Sequence, residues 1–471
     1  MNRSKLGELL ATFSKGEWRR FKDFVASPYF NKNEDVMQLC LAVAESEDLG
    51  QESKASVYGR AFPGQEYDAS KMGHLMNYLL KLAEQFLAME RFQADDFRPK
   101  RYVLQELSER KLTKQYDFIL RKVQKQLDDK PKNIEYFKQR YQLGEVKMIH
   151  FSNQKIRRFD PSMQEVYDGL NEYYYAALLK YVCAILSWKL VVTGEFELTS
   201  ITKQVIKSLS AYPPKSPLIR IYLSIYKTIS TGEEESDLHF QELERFLKEH
   251  RHSIEQEEMR EIYLYAINYC ARRMRDGERE YRKRVIELYE EAIEYRYIFE
   301  QGYLSHWTYT NVVKLILLEK RYDQAEAFIH RYKDHLPPRF YVDALHFNLA
   351  ELNFKRGAYD EVLTHLQYLS YSDSYYNPGS RMLMIKTLYE KEELESLISH
   401  LASFTKFLMR HKGLSTTYQR TMLNFCKMLN QVLRVSAPDR KANLQEKIRK
   451  LPLLAEREWL LEALEREKVK G

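Results

Sequence analysis

The stretch HFNLAELNFKRGAYDEVLTHL, His346–Leu366, sets one glycine between two runs whose apolar residues recur at helical spacing. Gly357 reads as a turn, and Tyr359 as the start of a second helix. Aligning Tyr359 with Tyr322 superposes Asn348–Leu366 on NVVKLILLEKRYDQAEAFI (Asn311–Ile329) without a gap, at a period of 37 residues. A third copy, LMIKTLYEKEELESLISHL (Leu383–Leu401), comes after 35 residues with Leu394 in place of the tyrosine. Val312, Leu349 and Met384 are equivalent apolar positions in the first helix, and Ala325, Val362 and Leu397 in the second. One such hairpin cannot bury its own apolar face, so neighbouring copies must stack.

The rest of the chain agrees with helices. Of 471 residues, 44% are hydrophobic and 30% charged, with 16 Gly and 13 Pro, too few turn residues for a β-rich fold. Ser14 and Glu17 form a capping-box pattern in SKGEWRRF, followed by a stripe of Trp18, Phe21, Phe24 and Val25 that must end before Pro28. Asn33 marks the next start. Beyond the FPGQEYD loop, Met72, Leu75, Met76, Leu79, Leu80, Ala83, Phe86 and Leu87 define a long helix. We expect an N-terminal helical domain over 1–95, a basic helical connecting segment over 96–160, and a helical array over 161–471 in which adjacent helices pair as antiparallel hairpins.

The copies at 305–410 resemble the tetratricopeptide repeat, with Asn348–Ala350 at the start of the first helix, Gly357 at the turn, Tyr359–Glu361 opening the second helix and Pro337 after it. Departures are Lys320 in place of the turn glycine, Leu394 in place of the tyrosine, and a longer period. The resemblance implies an all-α, elongated α-solenoid whose first helices line a concave face. It implies an extended protein or peptide partner there, bound by Asn311 and Asn348, with Lys314, Lys355 and Lys386 placed to receive a carboxylate. The N-terminal FSKGEWRRFKDFVASPYFNKNEDV, together with AFPGQEYD, FLAMERF and Glu458–Leu461, resembles uncharacterised bacterial all-helical proteins, which implies one continuous architecture and no particular activity.

The charge of +7 suggests an alternative partner. Residues 101–160 hold 15 Lys or Arg against 8 Asp or Glu, which accounts for the entire surplus. Arg110, Lys114, Arg121 and Lys125 share a helix face, extended by Lys132, Lys138, Arg140, Lys147, Lys155, Arg157 and Arg158. Tyr136, Phe137 and Tyr141 are interspersed, so nucleic acid is the alternative reading. Solvated charge and core aromatics are the plainer account.

Catalytic and metal signatures are missing from the sequence. It contains no GxGxxG, GxxxxGK[ST] or GxSxG, and His250 and His252 are two apart rather than at i, i+4. His330 and His335 suit a helix end. We expect no enzyme activity, no cofactor and no metal. Cys40, Cys183, Cys270 and Cys426 lie far apart and read as reduced core residues of a cytoplasmic protein, since the N-terminus lacks a signal-peptide pattern. Tyr173–Val192 is long enough to span a bilayer, but Lys180 and Lys189 would each cost roughly 2.5–3.5 kcal/mol at its centre. We expect no membrane insertion there. Leu451, Leu453, Leu454, Trp459 and Leu460 are expected to cap the last hairpin.

Overall fold

The computed structural model describes residues 4–46, 52–154, 158–189, 196–275, 277–370, 376–411, 414–435 and 437–466. Helices begin where local chemistry satisfies their free amides. After α1 (Lys5–Leu10), α2 (Lys15–Ala26) opens with the Ser14–Glu17 capping box: Ser14 accepts from the Glu17 amide at 3.2 Å, and the Glu17 carboxylate accepts from the Ser14 amide at 2.8 Å. Asn33 caps α3 (Glu34–Ala44) by accepting from the Val36 amide at 3.2 Å. With α4 (Lys54–Ala61) and α5 (Ala69–Gln93), these helices enclose one core cluster that includes Leu10, Phe21, Val36, Met72, Leu79 and Phe86.

A second core cluster involves α6 (Arg98–Glu109), α7 (Thr113–Asp128) and α8 (Ile134–Asn153), with Leu104, Tyr116, Val123 and Leu127 inside. Against α8 lies α9 (Pro161–Lys189), where a β-carbon at Gly144 would come within 3.1 Å of Val166 and one at Gly169 within 3.1 Å of Tyr141. Glycine is needed there because the two backbones approach too closely for a side chain. The first compact unit is Met1–Lys180, which ends within α9. That helix is less enclosed than its apolar sequence suggests: Tyr181 is 66% and Trp188 70% exposed. No described helix is long and apolar enough to cross a membrane, and residues 190–192 of that stretch lie outside the described residues.

The second unit, Tyr181–Gly471, continues with α10 (Ser200–Ala211), α11 (Pro217–Ser230), α12 (Glu233–His250), α13 (Gln256–Arg275) and α14 (Tyr281–Glu294). Two short strands come next, β1 (Phe299–Glu300) and β2 (Tyr303–Leu304), paired antiparallel. Sequence patterning points to no strand here. Gln301 and Gly302 both take positive φ, 50° and 86°, the two-residue turn that closes such a hairpin. Then come α15 (His306–Leu318), α16 (Tyr322–Tyr332), α17 (Tyr341–Arg356), α18 (Tyr359–Leu366), α19 (Tyr376–Glu390), α20 (Leu394–Arg410), α21 (Thr416–Val432), α22 (Pro438–Lys450) and α23 (Arg457–Arg466). Among the described residues the fold is all-α apart from that hairpin. Neighbours pair as α11 with α12, α13 with α14, α15 with α16, α17 with α18 and α19 with α20. First helices also pack in succession, α15 on α17 and α17 on α19.

The three aligned copies share one turn. Lys320, Gly357 and Glu392 occupy the same aligned position and have φ of 57°, 77° and 61°. The next amides along the chain, of Arg321, Ala358 and Glu393, donate to the carbonyls of Ile316, Asn353 and Leu388 at 3.2, 2.9 and 3.0 Å. This six-to-one bond is the signature of a Schellman cap. The same turn joins α6 to α7, where Lys111 has φ 61° and Leu112 donates to Leu107 at 2.9 Å. Aligned ion pairs also recur: Arg356 meets Asp323 of the preceding hairpin at 2.9 Å, and Lys391 meets Asp360 at 2.6 Å. Val313, Ala350 and Ile385, aligned in the first helices, are all fully buried.

Left-handed backbone strains any side chain, and no atom lies within 4 Å of a β-carbon built on Gly357, so only the backbone conformation acts there. Gly357→Ala is expected to lower stability by roughly 1 kcal/mol, while Lys320→Gly and Glu392→Gly each raise it by up to about 1 kcal/mol. Urea unfolding of the three variants checks this; unchanged midpoints would show that the turn carries no strain.

Candidate functional site

Of the five residues expected on a concave face, two line one cavity. Asn311 and Lys314, a turn apart on α15, are exposed or half-buried and face a space of about 1020 Å³. Its other walls come mainly from α13 and α14, through Tyr265, Asn268, Arg272, Arg282 and Tyr289, with Ser187 of α9 and Ile229 of α11. Burial raises the Tyr289 phenol above its ordinary value, opposed by a hydrogen bond from Asn311, and burial raises Tyr265 as well. Both phenols are therefore neutral donors at physiological pH. Lys314 also stands over the Phe347 ring, 5.5 Å from its centroid.

Asn348 is elsewhere. The 37-residue equivalence puts it level with Asn311 in the alignment, yet it is fully buried between α15 and α17. Its amide nitrogen donates to Thr310 Oγ1 at 3.0 Å and to the Ala344 carbonyl at 2.7 Å, and Tyr376 Oη lies 3.2 Å from the same Thr310 oxygen. Asn348 is therefore packed between α15 and α17 and does not share the cavity with Asn311.

Lys386 departs from expectation in another way. It is 2% exposed, stands 4.6 Å from the Phe354 ring centroid, and donates to Glu456 Oε2 at 2.9 Å. Lys355 remains exposed on α17. Burial works to raise the Glu456 carboxyl but is overcome by the charges of Lys386, Lys355 and Lys314, so the group titrates below its ordinary range. The three lysines expected to receive a partner's carboxylate thus surround one supplied by their own chain. Asn424 also donates to the Leu453 carbonyl at 3.0 Å in the segment leading to Glu456. Beyond it, α23 is anchored by Trp459, whose ring lies 5.2 Å from that of Tyr389 and whose indole donates to Glu390 at 2.8 Å. Leu460 is fully buried, whereas Leu453 is 42% exposed.

In the basic segment, Lys114, Arg121 and Lys125 lie exposed on α7, and the exposed Arg110 pairs with Glu106 at 3.0 Å. Arg158 lies 5.9 Å from the Phe151 ring, while Arg157, like Lys155, lies outside the described residues. Arg140 pairs with Glu172 at 2.7 Å, and Lys147 with Glu165. The interspersed aromatics are not a stacking surface: Phe137 is buried and Tyr141 donates to Glu145 at 2.7 Å. Phe118, which sequence patterning does not single out, is 57% exposed on α7 with Lys122 above its ring.

All four cysteines are free and buried, and burial pushes the Cys40 thiol up to about 12 and that of Cys426 to about 11. Neither is a reactive thiolate. Among the described residues no group of three or more His, Cys, Asp or Glu is arranged to hold a metal ion. In comparison with known proteins, no family model, curated sequence or solved structure matches the chain.

Removing Glu456 strands a buried ammonium, so Glu456→Gln is expected to lower stability by roughly 2–4 kcal/mol at neutral pH. Replacing the pair together, Lys386→Met with Glu456→Leu, recovers most of that loss. Because the folded carboxyl is depressed, its stabilisation is complete above the ordinary value of 4.5 and disappears as pH falls through the folded value. Denaturant titrations of wild type and Glu456→Gln should therefore converge in acid; a constant gap across pH would remove the carboxylate as its cause.

Proposed function

We propose that the chain is a non-catalytic, cytoplasmic scaffold whose tetratricopeptide-like hairpins form an α-solenoid and whose α13–α15 cavity binds a protein or peptide segment. The observation that carries this reading is the cavity itself, open and lined by neutral phenols, two asparagines and partly exposed aliphatic groups such as Leu318. Binding sites combine these features: apolar area for affinity, with a few polar groups to orient the ligand. The recurring turn, the succession of α15, α17 and α19 and the aligned ion pairs support the solenoid reading. Asparagine suits an extended ligand because its amide offers both a donor and an acceptor to a peptide backbone.

Panning a displayed random-peptide library against the immobilised full chain tests the proposal. We expect a consensus whose synthetic peptide binds the wild type and loses roughly three- to tenfold in affinity with Asn311→Ala or Leu318→Ala. Absence of any enriched sequence, or one indifferent to both changes, counts against the cavity as the binding face.

The α7 surface supports a second reading, nucleic-acid binding, because the exposed Phe118 ring accompanies Lys114, Arg121 and Lys125 on the same helix. It requires retention of oligo-thymidine on a filter at low salt, falling steeply as salt rises and weakened by Phe118→Ala. No retention at low salt eliminates it.

A further inference from the structure

The charge of the cavity wall narrows its partner. Among the described residues that line it are three cations, Arg272, Arg282 and Lys314, and no aspartate or glutamate. Arg282 is partly satisfied by Glu319 at 3.4 Å, outside the lining. Among the described residues, Arg272 and Lys314 have no carboxylate within ion-pairing distance; each lies instead over an aromatic ring, Tyr269 at 5.5 Å for Arg272 and Phe347 at 5.5 Å for Lys314. Some cations of this unit are matched by acids, as in Arg356 with Asp323 and Glu326, Lys391 with Asp360 and Glu393, and Arg466 with Glu390, whereas others such as Arg331 and Arg339 lie singly over aromatic rings; the cavity gathers three cations on one wall. A wall that gathers three cations, with Arg282 only partly offset by Glu319 and Lys314 acted on by Glu456 beyond ion-pairing distance, favours an anionic occupant.

The neighbouring chemistry gives a second argument. On the other flank of Lys314, the same positive field already acts on Glu456, a carboxylate carried on a non-helical stretch of chain whose Leu453 carbonyl is held by Asn424. An acidic peptide presents both elements, charge and a row of backbone acceptors. Asn268 and Asn311 stand at the cavity wall with the same kind of amide donor that Asn424 offers to that stretch. The aliphatic side of the cavity, Leu315 and Leu318, offers nothing to a polyanion and suits the apolar residues between acids.

We propose that the α13–α15 cavity is a receptor for an acidic peptide segment, with carboxylates meeting Arg272 and Lys314 and intervening apolar side chains lying on Leu315 and Leu318. The proposal rests on the peptide-binding reading of this cavity, and the same library separates the two. Enriched sequences are expected to carry net negative charge. The synthetic consensus peptide should lose roughly three- to tenfold in affinity with Arg272→Gln or Lys314→Gln, and by a similar factor when its own glutamates become glutamines. Lys283→Gln, an equal change in charge on the exposed face of α14 outside the cavity, should leave affinity unchanged. Circular dichroism of each variant establishes that it is folded.

Enriched peptides that are neutral or basic, and indifferent to Arg272→Gln and Lys314→Gln, overturn the acidic assignment while leaving the cavity as a peptide site. No enrichment overturns the peptide-binding reading and this proposal with it. Competition by inorganic phosphate beyond that of sodium chloride at equal ionic strength would assign the cavity to small anions instead, and displacement of the peptide by oligo-thymidine would assign it to nucleic acid.

Discussion

Closing a two-helix hairpin with a single left-handed residue shapes three successive hairpins of the second unit. The turn reverses the chain within two residues, so α15 and α16, α17 and α18, and α19 and α20 emerge antiparallel with apolar stripes on a common side. Those stripes exceed what one partner helix can cover, and each hairpin must therefore pack on the next. Recurrence of the Arg356–Asp323 and Lys391–Asp360 pairs shows that the register is kept from one hairpin to the next. Such exposed pairs contribute little energy, about 0–1 kcal/mol each, so they mark the register rather than create it.

The helices were legible because their signals are local. A capping box at Ser14–Glu17, an asparagine cap at Asn33 and apolar spacing in α5 each depend on residues within a few positions of one another. The turn was legible where glycine announces it and less so where Lys111, Lys320 or Glu392 tolerates the same conformation, since no composition rule marks a strained lysine. Asn348 was misplaced for a different reason. Alignment transfers position along a helix, but exposure depends on what is packed against that position, and this is a property of the neighbouring hairpin. Lys386 illustrates the same limit: its partner Glu456 lies 70 residues away.

Lysines at aligned faces consequently do different things. Lys386 is sealed under the C-terminal segment and neutralised by Glu456, a use of charge that fixes that segment in place. A buried ammonium without that carboxylate would cost far more than an exposed one, so the pair specifies where the segment must sit even if it adds little to stability. Trp459 and Leu460 add buried apolar area to the same contact, with the Trp459 ring against Tyr389.

The cavity lies earlier in the succession of helices. α11 packs on α13, α15 on α17 and α17 on α19, and the cavity is walled mainly by α13, α14 and α15. The connection across α13 and α14 differs, with Gly277 at φ 103° and four residues from it to the start of α14, instead of the two that separate Lys320 from α16. Tyr289 and Tyr265 line this space, and Asn311 stands at its edge with a hydrogen bond to Tyr289. One aligned asparagine is buried against Thr310 of the preceding hairpin, and the other is exposed at the cavity wall. Open space among these helices therefore need not lie on the best-formed repeat, and here it lies beside α13, α14 and α15.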